Sequence, residues 1–274
     1  MMILKPQPPH WLGSPFLYFE ETDSTNRLLH HLTEEQFKHG ILAFADHQTG
    51  GKGQGIKTWH SKQGHNLLFS IGLQPKESAR LILLTLAIAE RIADYISNLT
   101  ALPVRIKWPN DILVDGAKLG GILTETLFLG TNLERVIIGI GLNINQTEFP
   151  DFHDPNALNA VSLAQLTGVE WNRNALLEQL CHQIEKAYAS WENSAPELCS
   201  RIHSRLIGYG QWVDTEINGK LEGLRKCLGL TPQGELLLLD EAYNVHRHNH
   251  ENIRLIPQGV KQDGISPKIR SEKV

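Results

Sequence analysis

The order of apolar and polar positions divides the chain into an α/β part followed by an all-β part. "FLYF" (16–19) reads as a short strand. "ETDSTNRLLHHL" follows as a helix that starts near Asn26, with Asp23, Ser24 or Thr25 as its cap. "GILAFADHQ" is a second strand running into a glycine-rich loop, and "HNLLFSIGL" is the strand that leaves it. The clearest helix is "ESARLILLTLAIAERIADYIS" (77–97), apolar almost all round at its start and so expected against a sheet. "VRIKW", then "ILVDGAKLGGILTET" as a hairpin through Asp115 and Gly116, then "LERVIIGIGLNI" supply further strands. "QTEFPDFHDPNAL" is polar and proline-bearing and reads as a loop. A short helix over "SLAQLTG" and a long amphipathic one over 173–192 follow.

Beyond about Ser200 the pattern changes to short strands separated by Asn-Gly and Pro-Gln-Gly turns, the signature of a small β-barrel-like module. The expected organisation is a mixed α/β domain over 1–200, an all-β module over 201–260 and a flexible tail over 261–274. His246, His248 and His250 alternate in this module and read as surface histidines ahead of a metal site.

Composition narrows the class. The chain has 274 residues, 41% hydrophobic and 20% charged, as in an ordinary globular protein, with a formal charge of -4. That balance argues against a broad nucleic-acid surface. No apolar run approaches the roughly 18–20 residues needed to span a bilayer, and the amino terminus lacks a signal-peptide pattern. Cys181, Cys199 and Cys227 are widely spaced and form no CxxC pair, which predicts three reduced thiols in a cytoplasmic protein.

The loop "HQTGGKGQGIKTWHS" carries four glycines within six residues and suggests a phosphate loop. Aligning Lys57 and Thr58 to the end of G-x-x-x-x-G-K-[ST] puts Ile56 where the last glycine belongs, and a strand follows where a helix should open. The ordinary P-loop is excluded. Backbone N–H groups and lysines in such a loop can still close over phosphate, so anion binding and a passive loop both stand.

"RIKWPNDILVDGAKLGGILTE" (105–125), with "TDSTNRLL", "ADHQTGGKGQGIKTW" and "VIIGIGLNIN", resembles the biotin–protein ligase family over residues 16 to 260. The resemblance implies an α+β fold. Its mixed sheet with packed helices would have the class II aminoacyl-tRNA synthetase-like, biotin–lipoate ligase form, and a small SH3-like β-barrel would follow. It also implies a two-step reaction. Biotin and ATP, with Mg2+, give biotinyl-5'-adenylate, and the ε-amine of a lysine on the biotin carboxyl carrier protein of acetyl-CoA carboxylase then takes the biotin.

The same resemblance assigns roles. Lys107 would be the active-site lysine, placed against the biotin carboxylate and the α-phosphate, where a fixed ammonium stabilises charge developing on the transferring centre. Lys52 would reach the phosphates. Ser24, Thr25 and Gln48 would bind the ureido group, with Asn26 beside them, although Ser24, Thr25 and Asn26 also suit a plain helix cap. The loop residues Gly51, Gly53, Gln54 and Lys57 would close over the adenylate. Many members have "GRGRRG(R/K)" where this chain has "GKGQGIK", so Lys52 and Gln54 weaken the bidentate grip that arginines provide. Trp59 reads as core packing or as a wall against adenine. Asn110 pairs with the nucleotide or organises its loop, and Asp111 is structural or helps to hold magnesium. Lys118, Gly120 and Gly121 would approach the ligand, and Asn143 and Asn145 would contact the nucleotide.

Many bacterial relatives carry an amino-terminal DNA-binding domain, whereas the first catalytic strand is expected here by residue 16. The reading is a ligase without repressor function, binding neither nucleic acid nor membrane, as monomer or homodimer. The alternatives are a lipoate or octanoate–protein ligase-like acyltransferase and a non-catalytic biotin-binding module.

Overall fold

The computed structural model describes residues 11–55, 57–76, 78–150, 158–193, 195–217, 219–249 and 253–256. Strands Phe16–Thr22 (β1), Ile41–Gln48 (β2), Leu67–Leu73 (β3), Val104–Lys107 (β4), Asp111–Val114 (β5), Ala117–Leu129 (β6) and Asn132–Leu142 (β7) form one seven-stranded mixed sheet. Their order is β1-β2-β3-β7-β6-β5-β4. The β1–β2 pair is parallel, and its crossover carries helix α1 (Thr25–His30). The other neighbouring pairs are antiparallel.

Both faces of this sheet are covered, which explains the strand sequences. All seven residues of the central strand β3 are buried, so "LLFSIGL" is apolar almost throughout instead of alternating. On one face α1 and its flanks pack Leu29 and Phe37 against Ile41, Ala43 and Ile137. On the other, helix α2 (Leu81–Thr100) buries Leu84, Ile88 and Ile92 in the main core and packs against α4 (Arg173–Asn193). The short helix α3 (Leu163–Thr167) is tied to the segment after β7, Leu163 N–H donating to Asn143 O at 3.1 Å, with Ser162 and Gln165 forming a capping box.

Helix α2 starts and ends later than the 77–97 expected from sequence. It opens at Leu81, where the Arg80 carbonyl accepts both Leu84 N–H at 3.0 Å and Trp191 Nε1–H at 2.8 Å. It runs past Ser97 to Thr100 because Ala101, at φ 60°, closes the last turn by donating to Ser97 O. The β5–β6 hairpin turns at Asp115 (φ 48°) and Gly116 (φ 80°), the paired positive φ values of the turn expected there.

Helix α5 (Ala195–Arg205) was not foreseen and crosses residue 200, where the sequence pattern suggested a division. Strands Trp212–Ile217 (β8), Lys220–Leu230 (β9), Leu236–Leu239 (β10), Val245–His248 (β11) and Ile253–Ile256 (β12) form a second, antiparallel sheet, ordered β11-β10-β9-β8-β12. Three contacts tie β4 and the residue after it to α5, to the segment that leads from α5 into this sheet, and to the turn between β9 and β10. Ile207 N–H donates to Ile106 O at 2.9 Å, Arg105 Nη1 to Ser204 O at 2.8 Å, and Trp108 Nε1 to Gly234 O at 3.3 Å. Gly234 has no room for a side chain, because a Cβ would stand 2.7 Å from Leu83 N. The turn of the second sheet therefore seats directly on the first turns of α2.

Among the described residues, no helix is long and apolar enough to cross a membrane. None of their His, Cys, Asp or Glu residues cluster in threes placed to hold a metal ion. His246 instead pairs with Asp240 at 2.8 Å, and His250 lies outside the described residues.

Candidate active site

A cleft of about 1150 Å³ lies between the glycine loop, the ends of β6 and β7, the start of α2 and the second sheet. Most of the residues singled out in the sequence line it, and they sort by chemistry into an uncharged end and a cationic end.

The uncharged end is built where α1 begins. Ser24 is the N-cap of α1, with its Oγ accepting from Arg27 N–H, and Ser24, Thr25 and Asn26 are all buried. Thr25 N–H donates to Gln48 Oε1 at 2.7 Å, which ties the helix to the last residue of β2. Thr25 Oγ1 lies 2.6 Å from Ser70 Oγ, and Ser70 donates to Asn26 Oδ1 at 2.5 Å. Asn26 Nδ2 donates to Glu125 Oε2 at 2.7 Å. A cap, a strand end and the middle of β3 are thus joined by neutral donors and acceptors.

The cationic end is formed by β4, the turn after it and the β5–β6 hairpin. Burial pushes the Lys107 ammonium below its usual pKa of 10.5. Asp111 works against that shift, while Arg254, Lys118 and Lys57 reinforce it. A largely buried ammonium therefore sits among three other cations and one carboxylate, an arrangement suited to polyanionic ligands. Lys118 Nζ pairs with Asp111 Oδ1 at 2.6 Å and lies 5.6 Å from the centroid of the Trp59 ring. Asn110 lines the cleft and also organises its turn, its Nδ2 donating to Ile122 O at 2.7 Å while its carbonyl accepts Ile122 N–H at 3.0 Å. Asn143 is buried against the cleft and donates through Nδ2 to Lys118 O at 3.3 Å.

The glycine loop folds as a small hairpin over the cleft, with Lys52 bridged to Thr58 and Gly53 N–H donating to Lys57 O at 2.7 Å. Lys52, Gly53, Gln54, Lys57 and Trp59 line the cleft. Three expected ligand residues do not. A Cβ on Gly51 would stand 2.7 Å from Trp59 O, so this glycine lets the two arms of the hairpin close. At Gly120 the close neighbours are the Leu142 side chain and Gly141 O, so the approach predicted there is that of strand β7. Asn145 spends both ends of its amide on Trp171, donating to its O and accepting from its N–H, each at 2.9 Å. Gly121 does line the cleft and leaves space for the Lys118–Asp111 pair.

Sequence reasoning missed several lining or supporting residues. Ser70 had a signal, as the hydroxyl in an otherwise apolar strand. Thr85 and Thr124, with hydroxyls 2.6 Å apart, line the α2 side of the cleft. Glu216 and Arg254 reach it from the second sheet, and alternation along "IRLI" gave no hint of that.

The description "Biotin/lipoate A/B protein ligase family" matches residues 18–143. The bifunctional ligase/repressor BirA of Bacillus spizizenii is 32% identical over 240 residues, which span 83% of this chain and 70% of that protein. The chain belongs to the biotin protein ligase family. Another relative, the biotin–[acetyl-CoA-carboxylase] ligase of Mycobacterium tuberculosis, is 29% identical, covering 73% of each chain. Among solved structures, the biotin protein ligase of Aquifex aeolicus in complex with biotin and ATP superposes with a TM-score of 0.75 at 29% identity. That match covers 88% of this chain and 98% of the other. The ligase fold therefore includes the second sheet as well as the first, and the cleft lies where the two meet.

Proposed function

We propose that the chain is a biotin–[acetyl-CoA-carboxylase] ligase, which activates biotin with ATP and transfers it to a lysine of the carboxylase's carrier protein. The observation that carries this reading is the joining, in one cleft, of a neutral hydroxyl–amide pocket to a cluster of four cations. Ser24, Thr25 and Gln48 offer the paired donors and acceptors that a neutral ureido ring requires. Lys107, Lys118, Lys57 and Arg254 offer positive charge to a carboxylate and a triphosphate together.

In the first step a biotin carboxylate oxygen attacks the α-phosphorus of ATP, and the bond to pyrophosphate breaks. Two anions must approach, and the charge grows on the transferring oxygens. Lys107 is held there by its place at the end of β4, and its partial burial strengthens that attraction. Lys52 adds charge from the loop. In the second step the carrier lysine amine attacks the acyl carbon, the bond to the AMP oxygen breaks, and an amide forms as the amine releases its proton. Mg2+ would accompany ATP and offset the charge on its phosphates, and Asp111, the carboxylate paired with Lys118, would share in holding it.

The test is to incubate the protein with ATP, Mg2+, apo-carrier protein and either labelled biotin or labelled lipoate. Label on the carrier with biotin alone supports the proposal. Label with lipoate, or none with either, overturns it.

A further inference from the structure

Glu125 lies on β6 beyond the cleft and is in contact with none of the lysines just described. We propose that it is a positioning residue that sets the hydrogen-bond polarity of the uncharged end of the cleft. The ligand selected is then one that donates N–H to Thr25 and presents a carbonyl oxygen to Gln48. This rests on the reading of that end as the seat of the ureido ring, and deepens it.

As a carboxylate Glu125 can only accept. Its Oε2 takes Asn26 Nδ2 at 2.7 Å and lies 3.5 Å from His30 Nε2. The same Asn26 Nδ2 faces a second acceptor, Leu123 O, at 3.5 Å. The Asn26 oxygen must therefore point the other way, toward Ser70. Because that oxygen is a pure acceptor, Ser70 gives it its one proton across 2.5 Å. Ser70 Oγ is left to accept, and Thr25 Oγ1 donates to it across 2.6 Å. That is the shorter of two contacts competing for the Thr25 proton; the other, to Gln48 Oε1, is 3.0 Å. Thr25 then turns lone pairs toward the cleft.

Gln48 is fixed independently. A backbone N–H can only donate, and Thr25 N–H holds Gln48 Oε1 at 2.7 Å, which leaves Nε2 as the donor for a ligand. Gly139 keeps the relay in place, because any Cβ there would collide with the Asn26 amide. Thr25, Asn26 and Ser70 are buried, so no water can substitute for a reversed link among these three without reopening the packing, while Glu125 and Gln48 stand half-buried at the two ends. A cyclic urea, with N–H groups flanking a carbonyl, meets this pattern. A cyclic guanidinium, which carries hydrogens where the urea has its oxygen, does not.

Replacing the carboxylate with an amide of the same shape loosens the constraint to the longer 3.5 Å contact with Leu123 O, since Gln can present either end to Asn26. The test compares parent and Glu125→Gln proteins for binding of biotin and of 2-iminobiotin by calorimetry. KM and kcat of biotin-dependent pyrophosphate release are measured alongside. The parent is expected to prefer biotin. Glu125→Gln should narrow that preference by about tenfold or more and raise the biotin KM, with kcat near the parent value. Ser70→Ala cuts the relay at another point and should narrow the preference likewise, which covers a Glu125→Gln protein that does not fold. A folded variant with unchanged preference and KM overturns the proposal. A parent that binds neither compound overturns instead the underlying reading of the cleft.

Discussion

Gly141 lies directly beneath the indole of Trp59, so that a Cβ on the glycine would stand 2.7 Å from the ring. The loop residue and the end of β7 are thereby locked in one packing unit, with Lys118 over the same ring. Gly141→Ala should expel the indole, costing about 1–3 kcal/mol of stability and raising the ATP KM. In a Trp59→Ala background the same change should cost far less, since the ring is no longer there to be displaced. Denaturant melts of the four proteins in this cycle decide it. Additive losses would show that the two residues do not act as a unit.

Lys107 couples activity to a stability cost. Burial lowers its pKa below the ordinary 10.5, so between the folded value and 10.5 the unfolded chain holds more protons than the folded one. Unfolding free energy from this group therefore rises with pH across that window. Lys107→Met should remove that slope and leave the protein no less stable at neutral pH. Adenylate formation should slow by about 10²–10³-fold. A loss of thermal stability equal to that of a buried core truncation would contradict this account.

Arg254 reaches the cleft from β12, 3.7 Å from Glu216, and its charge helps to depress Lys107. Arg254→Ala should raise the ATP KM by about tenfold while leaving biotin affinity near the parent value. It should also shift the alkaline limb of kcat/KM to higher pH, because Lys107 loses one of the cations that lower it. Steady-state kinetics across pH separate these effects. An unchanged ATP KM would remove the second sheet from the reaction.

Gln54 is exposed on the loop hairpin and brings no charge to the cleft it lines. Gln54→Arg restores a fork-shaped cation and should slow release of preformed biotinyl adenylate by about fivefold, an exposed-site value. Stopped-flow release measurements test it, and an unaltered release rate would sink the idea.

The legibility of this protein in its sequence differs from one element to the next. The Asp115–Gly116 hairpin, the cap of α1 as one of Asp23, Ser24 or Thr25, and the strand at β3 follow from local rules of turn chemistry, capping and hydrophobic period. Each was readable within a window of a few residues. That Ser24 is the cap and that β3 is buried throughout came from the fold. Helix α5 was not recognised, although Ala195, Leu198, Cys199 and Ile202 fall at helical spacing; the stripe is short and set among polar residues, and α2, α4 and β9 supply its burial. The glycines show the same divide. Sequence marked Gly120 and Gly121 alike as places of close approach, yet only the neighbouring strands decide that one faces Leu142 and the other the cleft.

The sequence by itself determined most of the strand and helix inventory, α5 excepted, together with the family and most of the groups that line the cleft, since these depend on residue type and short-range order. Tertiary structure alone decided which groups act together. The sheet order sets β3 beside β7 and β7 beside β6, so Ser70 and Glu125 reach Asn26 across 44 and 99 residues of chain. Docking of the second sheet on Trp108 and α2 carries Arg254 to Lys107. Charge and hydrogen-bond direction act over a few ångströms in space, and no local pattern records which distant residues will fall within that range.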